Sequence, residues 1–161
     1  FFFVLNGKIK PNTKSEVPIT NLDIFPTVLQ YAGIDASQLN FDGNSLAPVL
    51  EAKVQVFERP LYWHFPIYLQ AYNVNDNENR DPLFRTRPGS VIRKGDWKLH
   101  YYFEDDGVEL YNLSKDIGER NNLAETHPEK SEELLTLLKT WWKETNAPIP
   151  KTQNPEYINK I

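Results

Sequence analysis

Ser90 to Ala124 reads S-V-I-R-K-G-D-W-K-L-H-Y-Y-F-E-D-D-G-V-E-L-Y-N-L-S-K-D-I-G-E-R-N-N-L-A. Two tight turns, Lys94-Gly95-Asp96 and Asp105-Asp106-Gly107, punctuate three short runs rich in aromatic and β-branched residues. Turn chemistry of this kind between such runs specifies an antiparallel meander. In the middle run Trp97, Leu99, Tyr101 and Phe103 fall on one face. Lys98, His100 and Tyr102 fall on the other, because strand side chains alternate.

Outward to the C-terminus, a helix is expected over about residues 128 to 146. Thr126 or His127 can cap it, and Pro128 suits its first turn. Leu134, Leu135, Leu138, Trp141 and Trp142 recur at helical spacing, so this stripe should cover the Trp97/Leu99 face. Beyond Pro148 the chain is dotted with prolines and reads as extended.

Outward to the N-terminus, Arg59 to Phe65 alternates. Leu61, Trp63 and Phe65 point one way, Tyr62 and His64 the other. Residues 66 to 89 form a long connection rich in Asn, Asp and Arg; such loops are often functional. Asp42-Gly43-Asn44-Ser45 is a turn, with Ser45 capping a short helix over Leu46 to Glu51. A longer helix runs from about Asn21 to Gly33, started by Thr20 and Asp23 and stopped by glycine. Its apolar stripe is Leu22, Phe25, Leu29 and Ala32, widened by Val28. Phe1 to Asn6 is expected to be a strand buried on both faces of a parallel sheet. Such a strand needs neighbours that these residues hardly supply. The sequence is therefore read as the C-terminal part of a longer protein.

The composition narrows the function classes. The 161 residues carry a net charge of −4, which argues against a general nucleic-acid or membrane-surface binder. No run is long and apolar enough to cross a bilayer. The absence of cysteine excludes disulfides, thiolate metal sites and a cysteine nucleophile. Nothing resembles a nucleophile elbow. Asn73, Asn75, Asn77 and Asn79 alternate like calcium-loop ligands, but Glu78 stands where the tight turn needs glycine and Phe84 where the bidentate glutamate belongs. Asn112-Leu113-Ser114 is a sequon that matters only in a eukaryotic secretory route.

The ordered motifs resemble the C-terminal subdomain of arylsulfatase-type sulfatases, of the alkaline-phosphatase-like superfamily. R-K-G-D-W-K-L at Arg93–Leu99, E-L-Y-N-L at Glu109–Leu113 and the D-x-G-E and N-N-L-A elements of Asp116–Ala124 carry the likeness. So do the N-L-D-I-F-P-T-V-L helix at Asn21–Leu29, D-G-N-S-L at Asp42–Leu46 and R-P-L-Y-W-H-F-P at Arg59–Pro66. Near the start, Leu5 to Asn12 matches the family's P-G-x-I-K-P-G turn with its first proline and last glycine changed.

The resemblance implies an α/β plus α+β arrangement. Residues 1–55 would be the tail end of an alkaline-phosphatase-like α/β sandwich. Residues 56–147 would be a small antiparallel sheet of about four strands on a long C-terminal helix, and 148–161 an extended tail. It also implies hydrolysis of sulfate esters of sugars or aryl groups, with calcium or magnesium and a formylglycine in the whole enzyme. Those groups lie upstream in the family, and no C-x-P-S-R or S-x-P-S-R segment occurs here. The chain is thus expected to hold neither nucleophile nor metal, and to be inactive alone. Its expected partners are a missing N-terminal catalytic portion and a sulfated small molecule or glycan, with no nucleic acid or membrane. Family habit suggests a periplasmic, cell-surface or secreted location.

Candidate substrate-binding residues are His64, Tyr68, Arg85 and Arg87. His64 is expected to face away from the helix, toward the catalytic domain, either near a sulfated ligand or hydrogen-bonded within the domain interface. Tyr68 and Tyr72 can stack on a sugar or anchor the loop. Arg85 and Arg87 can pair with sulfate or a carboxylate, or merely solvate the loop, and Arg80 is weaker. Alternatives are a phosphomonoester or phosphonate hydrolase of the same superfamily, and a non-catalytic carbohydrate-binding or interaction module.

Overall fold

A computed structural model describes residues 3–53, 59–70, 84–152 and 154–155. The chain divides into two units, Phe1–Glu58 and Arg59–Ile161.

In the first unit, the 3-10 turn Asn21–Asp23 leads into helix α1, Ile24–Tyr31, and a short helix α2, Ala47–Leu50, follows. Asp23 starts the first helix from inside: the Thr20 N–H donates to Asp23 Oδ2 at 2.8 Å. Gly33, at φ +70°, ends it. There the Ile34 N–H reaches the Leu29 carbonyl at 3.1 Å and the Gly33 N–H the Gln30 carbonyl at 3.2 Å, a Schellman closure.

The buried face of α1 is not its apolar stripe. Leu22, Phe25 and Val28 are exposed, whereas Asp23, Pro26 and Thr27 are buried. Polar satisfaction explains the inversion. Asp23 Oδ1 accepts the Asn44 N–H at 2.9 Å, and Thr27 Oγ1 accepts the Leu46 N–H at 2.8 Å while donating to the Asp23 carbonyl. The D-G-N-S-L turn therefore docks on the Asp23/Thr27 face. Gly43 packs so closely that a Cβ there would lie 2.2 Å from the Leu22 carbonyl oxygen.

Two further expectations change. Phe3–Leu5 form no strand, and Val4 is 74% exposed; a doubly buried strand needs hydrogen-bonded neighbours on both sides, and none lies here among the described residues. Ser45 does not cap α2 directly: Leu46 is the N-cap, and Ser45 Oγ accepts the Ala47 N–H at 3.2 Å from one position earlier.

The second unit holds strands β1 Leu61–Phe65, β2 Leu69–Gln70, β3 Phe84–Thr86, β4 Gly89–Lys94, β5 Trp97–Tyr102 and β6 Val108–Asn112, then helix α3, Pro128–Glu144. β1-β4-β5-β6 make a four-stranded sheet, antiparallel throughout, and β2 pairs with β3 separately. That second pairing lies inside a stretch whose sequence reads only as a polar loop. Tyr72, Arg80 and the Asn73–Asn79 series lie outside the described residues.

Register fixes which side chains share a face. Tyr62, Ile92, Leu99 and Leu110 stand opposite one another across the four strands, and so do His64, Ser90, Tyr101 and Val108. α3 covers this face. Leu134 and Leu138 are fully buried against Ile92, Leu99 and Leu110, Trp141 stacks on Tyr62 at 4.8 Å, and Trp142 meets Tyr101 edge-on. His64 thus lies on the helix side, which corrects the expectation that it faces away. Alternation groups Tyr62 with His64, but only pairing with β4 decides where the pair points.

The edge strand β6 is closed by the loop that follows it. The Leu110 N–H donates to Asn122 Oδ1 at 3.0 Å, and the Leu110 carbonyl accepts the Leu123 N–H at 2.8 Å. Asp116 holds that loop by accepting the N–H groups of Arg120 and Asn121. The N-N-L-A motif is therefore an edge cover, which blunts a strand otherwise open to pairing.

Candidate functional site

Three loops of the second unit converge on one carboxylate. Tyr68 comes from the β1–β2 connection, Arg87 from the β3–β4 connection, and Glu104 from the β5–β6 turn. The Tyr68 hydroxyl donates to Glu104 Oε1, and Arg87 Nε donates to Oε2. The Arg87 and Glu104 side chains are 6% and 4% exposed, so the pair is buried rather than solvated. Two opposite charges out of water stabilise each other only when hydrogen bonds hold them, as here.

Burial, and then the neighbouring Glu104 carboxylate, push the Tyr68 phenol up to about 12. The phenol therefore stays protonated and remains a donor at neutral pH. Beside this cluster lies an open cleft of about 680 Å³, bounded by Pro66, Tyr68, Pro88 and Phe103 and by the chain beyond α3. The arrangement offers a wall with an aromatic and polar surface. Its guanidinium is neutralised by Glu104, so it supplies shape more than net charge.

The sequence-predicted candidates fall in different places. Tyr68 and Arg87 come together. His64 stands apart, with Nδ1 2.7 Å from Ser90 Oγ and Nε2 3.0 Å from the Pro148 carbonyl. Arg85 lies in β3, and its side chain is outside the described residues. Glu104, the hub, escaped sequence reading. It precedes Asp105-Asp106-Gly107, where acidic residues are explained by the turn. Its only signal is that it follows the buried strand β5 by two positions.

The opposite face of the sheet carries a second polar group. Glu119 bridges Lys98 Nζ at 2.6 Å and His100 Nε2 at 2.8 Å. The hydroxyls of Tyr102 and Tyr111 donate to Glu109 Oε2 at 3.0 and 3.2 Å. Burial, and then the Lys98 charge, lower the His100 imidazole below its ordinary value, against the pull of Glu119. The contact is accordingly one between a neutral ring N–H and a carboxylate. Asn112 of the sequon is buried, its Oδ1 accepting from Ser114.

Among the described residues, no group of three or more His, Cys, Asp or Glu side chains is arranged to hold a metal ion. No described helix is long and apolar enough to cross a membrane.

The family described as N-sulphoglucosamine sulphohydrolase, C-terminal, matches residues 1–147. The chain belongs to the sulfatase family. A sulfatase of Formosa agariphila is 34% identical over 162 residues, covering 91% of this chain and 27% of that protein. A Delta 4,5-hexuronate-2-O-sulfatase of Bacteroides thetaiotaomicron is 36% identical over 106 residues, covering 64% and 19%. The chain thus spans about a quarter or less of the curated sulfatases it matches.

Solved sulfatase structures agree. A protein in complex with its substrate D-glucosamine-2-N,6-O-disulfate superposes with a TM-score of 0.59 at 27% identity, covering 81% of this chain and 25% of that one. A 2-O GAG sulfatase gives 0.59 at 28% identity, covering 83% and 27%. Residues 1–147 therefore correspond to the C-terminal part of sulfatases, as the motif order implies.

Proposed function

We propose that the whole protein hydrolyses sulfate esters of carbohydrates, and that this chain shapes the substrate pocket without performing the chemistry. The match over residues 1–147 carries this reading. Relatives named for hexuronate and N-acetylglucosamine sulfates support a sugar substrate over a simple aryl sulfate.

On this reading, residues 1–55 belong to the catalytic α/β domain and residues 56–147 form the C-terminal subdomain. Calcium or magnesium and the formylglycine belong to a segment outside these residues. The described side chains here do not fit a metal, so no step of the reaction is assigned to them. The family's habit of export supports a periplasmic, cell-surface or secreted location.

The chain's own part is positional. Glu104 fixes Tyr68 and Arg87, and the fixed wall orients the sugar; Arg85 is retained as a contact to sulfate or a sugar carboxylate. The intact protein should release sulfate from 2-O- or 6-O-sulfated amino sugars or uronic acids. Preference for a phosphomonoester of the same sugar would assign it to the phosphatase branch instead.

A further inference from the structure

α3 ends in a left-handed turn. Asn146 sits at φ +50°, and the Ala147 N–H returns to the Trp142 carbonyl at 2.9 Å. The chain is thereby sent back along the sheet toward β1, and its next residue, Pro148, presents its carbonyl to His64 Nε2 at 3.0 Å. A carbonyl can only accept, so Nε2 carries the proton. In the neutral ring Nδ1 is then the acceptor, and the Ser90 hydroxyl 2.7 Å away donates to it. Ser90 Oγ accepts in turn from Trp142 Nε1 at 3.0 Å. One directed chain of donors runs Trp142, Ser90, His64, Pro148, and every group in it is satisfied. It starts in the helix, crosses two strands and ends on the outgoing tail.

The tail it holds is short of conformational freedom, because Pro148 and Pro150 fix φ and favour extension. A segment with few unfolded states needs little to dock it. Beyond the latch, Pro150, Lys151 and Thr152 line the same cleft as Ile67, Tyr68 and Phe103.

We propose that residues 147–152 are a strap, latched onto the sheet by His64, that forms one wall of the Tyr68 cleft and opens it when the latch lets go. This holds whatever the cleft accepts, so it stands apart from the sulfate reading.

The chain contains no cysteine, so Ile67→Cys with Thr152→Cys gives a clean pair of labels, both at exposed positions. Spin-label distances should show one narrow, short population in the 161-residue chain. Adding His64→Phe keeps an aromatic ring beside Phe103 and Trp141 but removes the donor. The docked-to-undocked ratio should then fall about fivefold, the loss expected for one neutral hydrogen bond. An unchanged distribution in a folded His64→Phe chain would overturn the proposal. Should that variant fail to fold, nitrogen NMR of the unsubstituted chain decides. A proton on Nε2 with Nδ1 bare supports the latch, and a proton on Nδ1 sinks it.

Discussion

Glu104 does at one position what the loops around it cannot do by themselves. It is buried with two donors, and each donor comes from a different connection. Glu104→Gln keeps the shape and removes the charge. The buried Arg87 then loses the Glu104 charge, a loss of about 3–5 kcal/mol when one partner of such a pair goes. The thermal midpoint should drop accordingly. Ultraviolet titration should show the Tyr68 phenol moving down from about 12, because the carboxylate no longer opposes its ionisation. It should stay above the free value, since burial is the larger cause and remains. An unchanged Tyr68 titration in Glu104→Gln would show that the carboxylate is not its partner in solution.

Thr27 is a second residue whose role lies in hydrogen bonding. Its hydroxyl serves the buried Leu46 N–H. Thr27→Val is nearly isosteric and should cost about 1–3 kcal/mol, the penalty of leaving that donor unsatisfied, read from denaturant midpoints. These two positions also mark what the sequence could and could not disclose. D-x-x-x-T followed by D-G-N-S-L is visible as a motif, but its polar pairing is long-range. Helical periodicity therefore reveals the apolar stripe of α1 but not the Asp23/Thr27 face on which the turn docks. Glu104 is less visible still: its neighbours Asp105 and Asp106 share its charge and belong to a turn.

At the scale of elements, the meander and its helix were legible because local signals agree. Gly95 at φ +59° makes the tight β4–β5 turn, alternation sorts β5, and Leu134 and Leu138 recur at helical spacing onto Leu99. Leu138→Ala should cost about 2–5 kcal/mol, as deletion of a fully buried leucine does, and a cost under about 1 kcal/mol would mean α3 is not seated on the sheet. The face of β1 was not legible, because it carries aromatic residues on both sides. Only register with Ser90 and Ile92 resolves it. The N-N-L-A segment reads as loop, yet Asn122 supplies the acceptor that finishes an edge strand. Asn122→Ala should expose the Leu110 amide, and hydrogen exchange at Leu110 should rise well above that at Leu99. Equal protection of the two in that variant would remove Asn122 from the edge.

For the whole molecule, the tyrosines predict a response to alkali. Tyr68 and Tyr111 are both pushed up to about 12, chiefly by burial, and Tyr101 is raised as well. The unfolded chain ionises these phenols near about 10, so above that pH the unfolded state binds fewer protons than the folded one. Their contribution to stability is complete below about pH 10 and is lost as pH rises toward the folded values. Denaturation midpoints measured at about pH 9 and about pH 11 should fall between the two; a constant midpoint would mean the phenols are not buried.

These residues supply cores, an edge cover and a cleft wall, and on the proposed function the chemistry belongs to a segment outside them. Sulfate release by the purified 161-residue chain, given a 6-O-sulfated glucosamine with calcium or magnesium present, tests that division most directly. A folded chain with no turnover above buffer is the expected result. Sustained release by that chain alone would place a nucleophile within it and contradict the account.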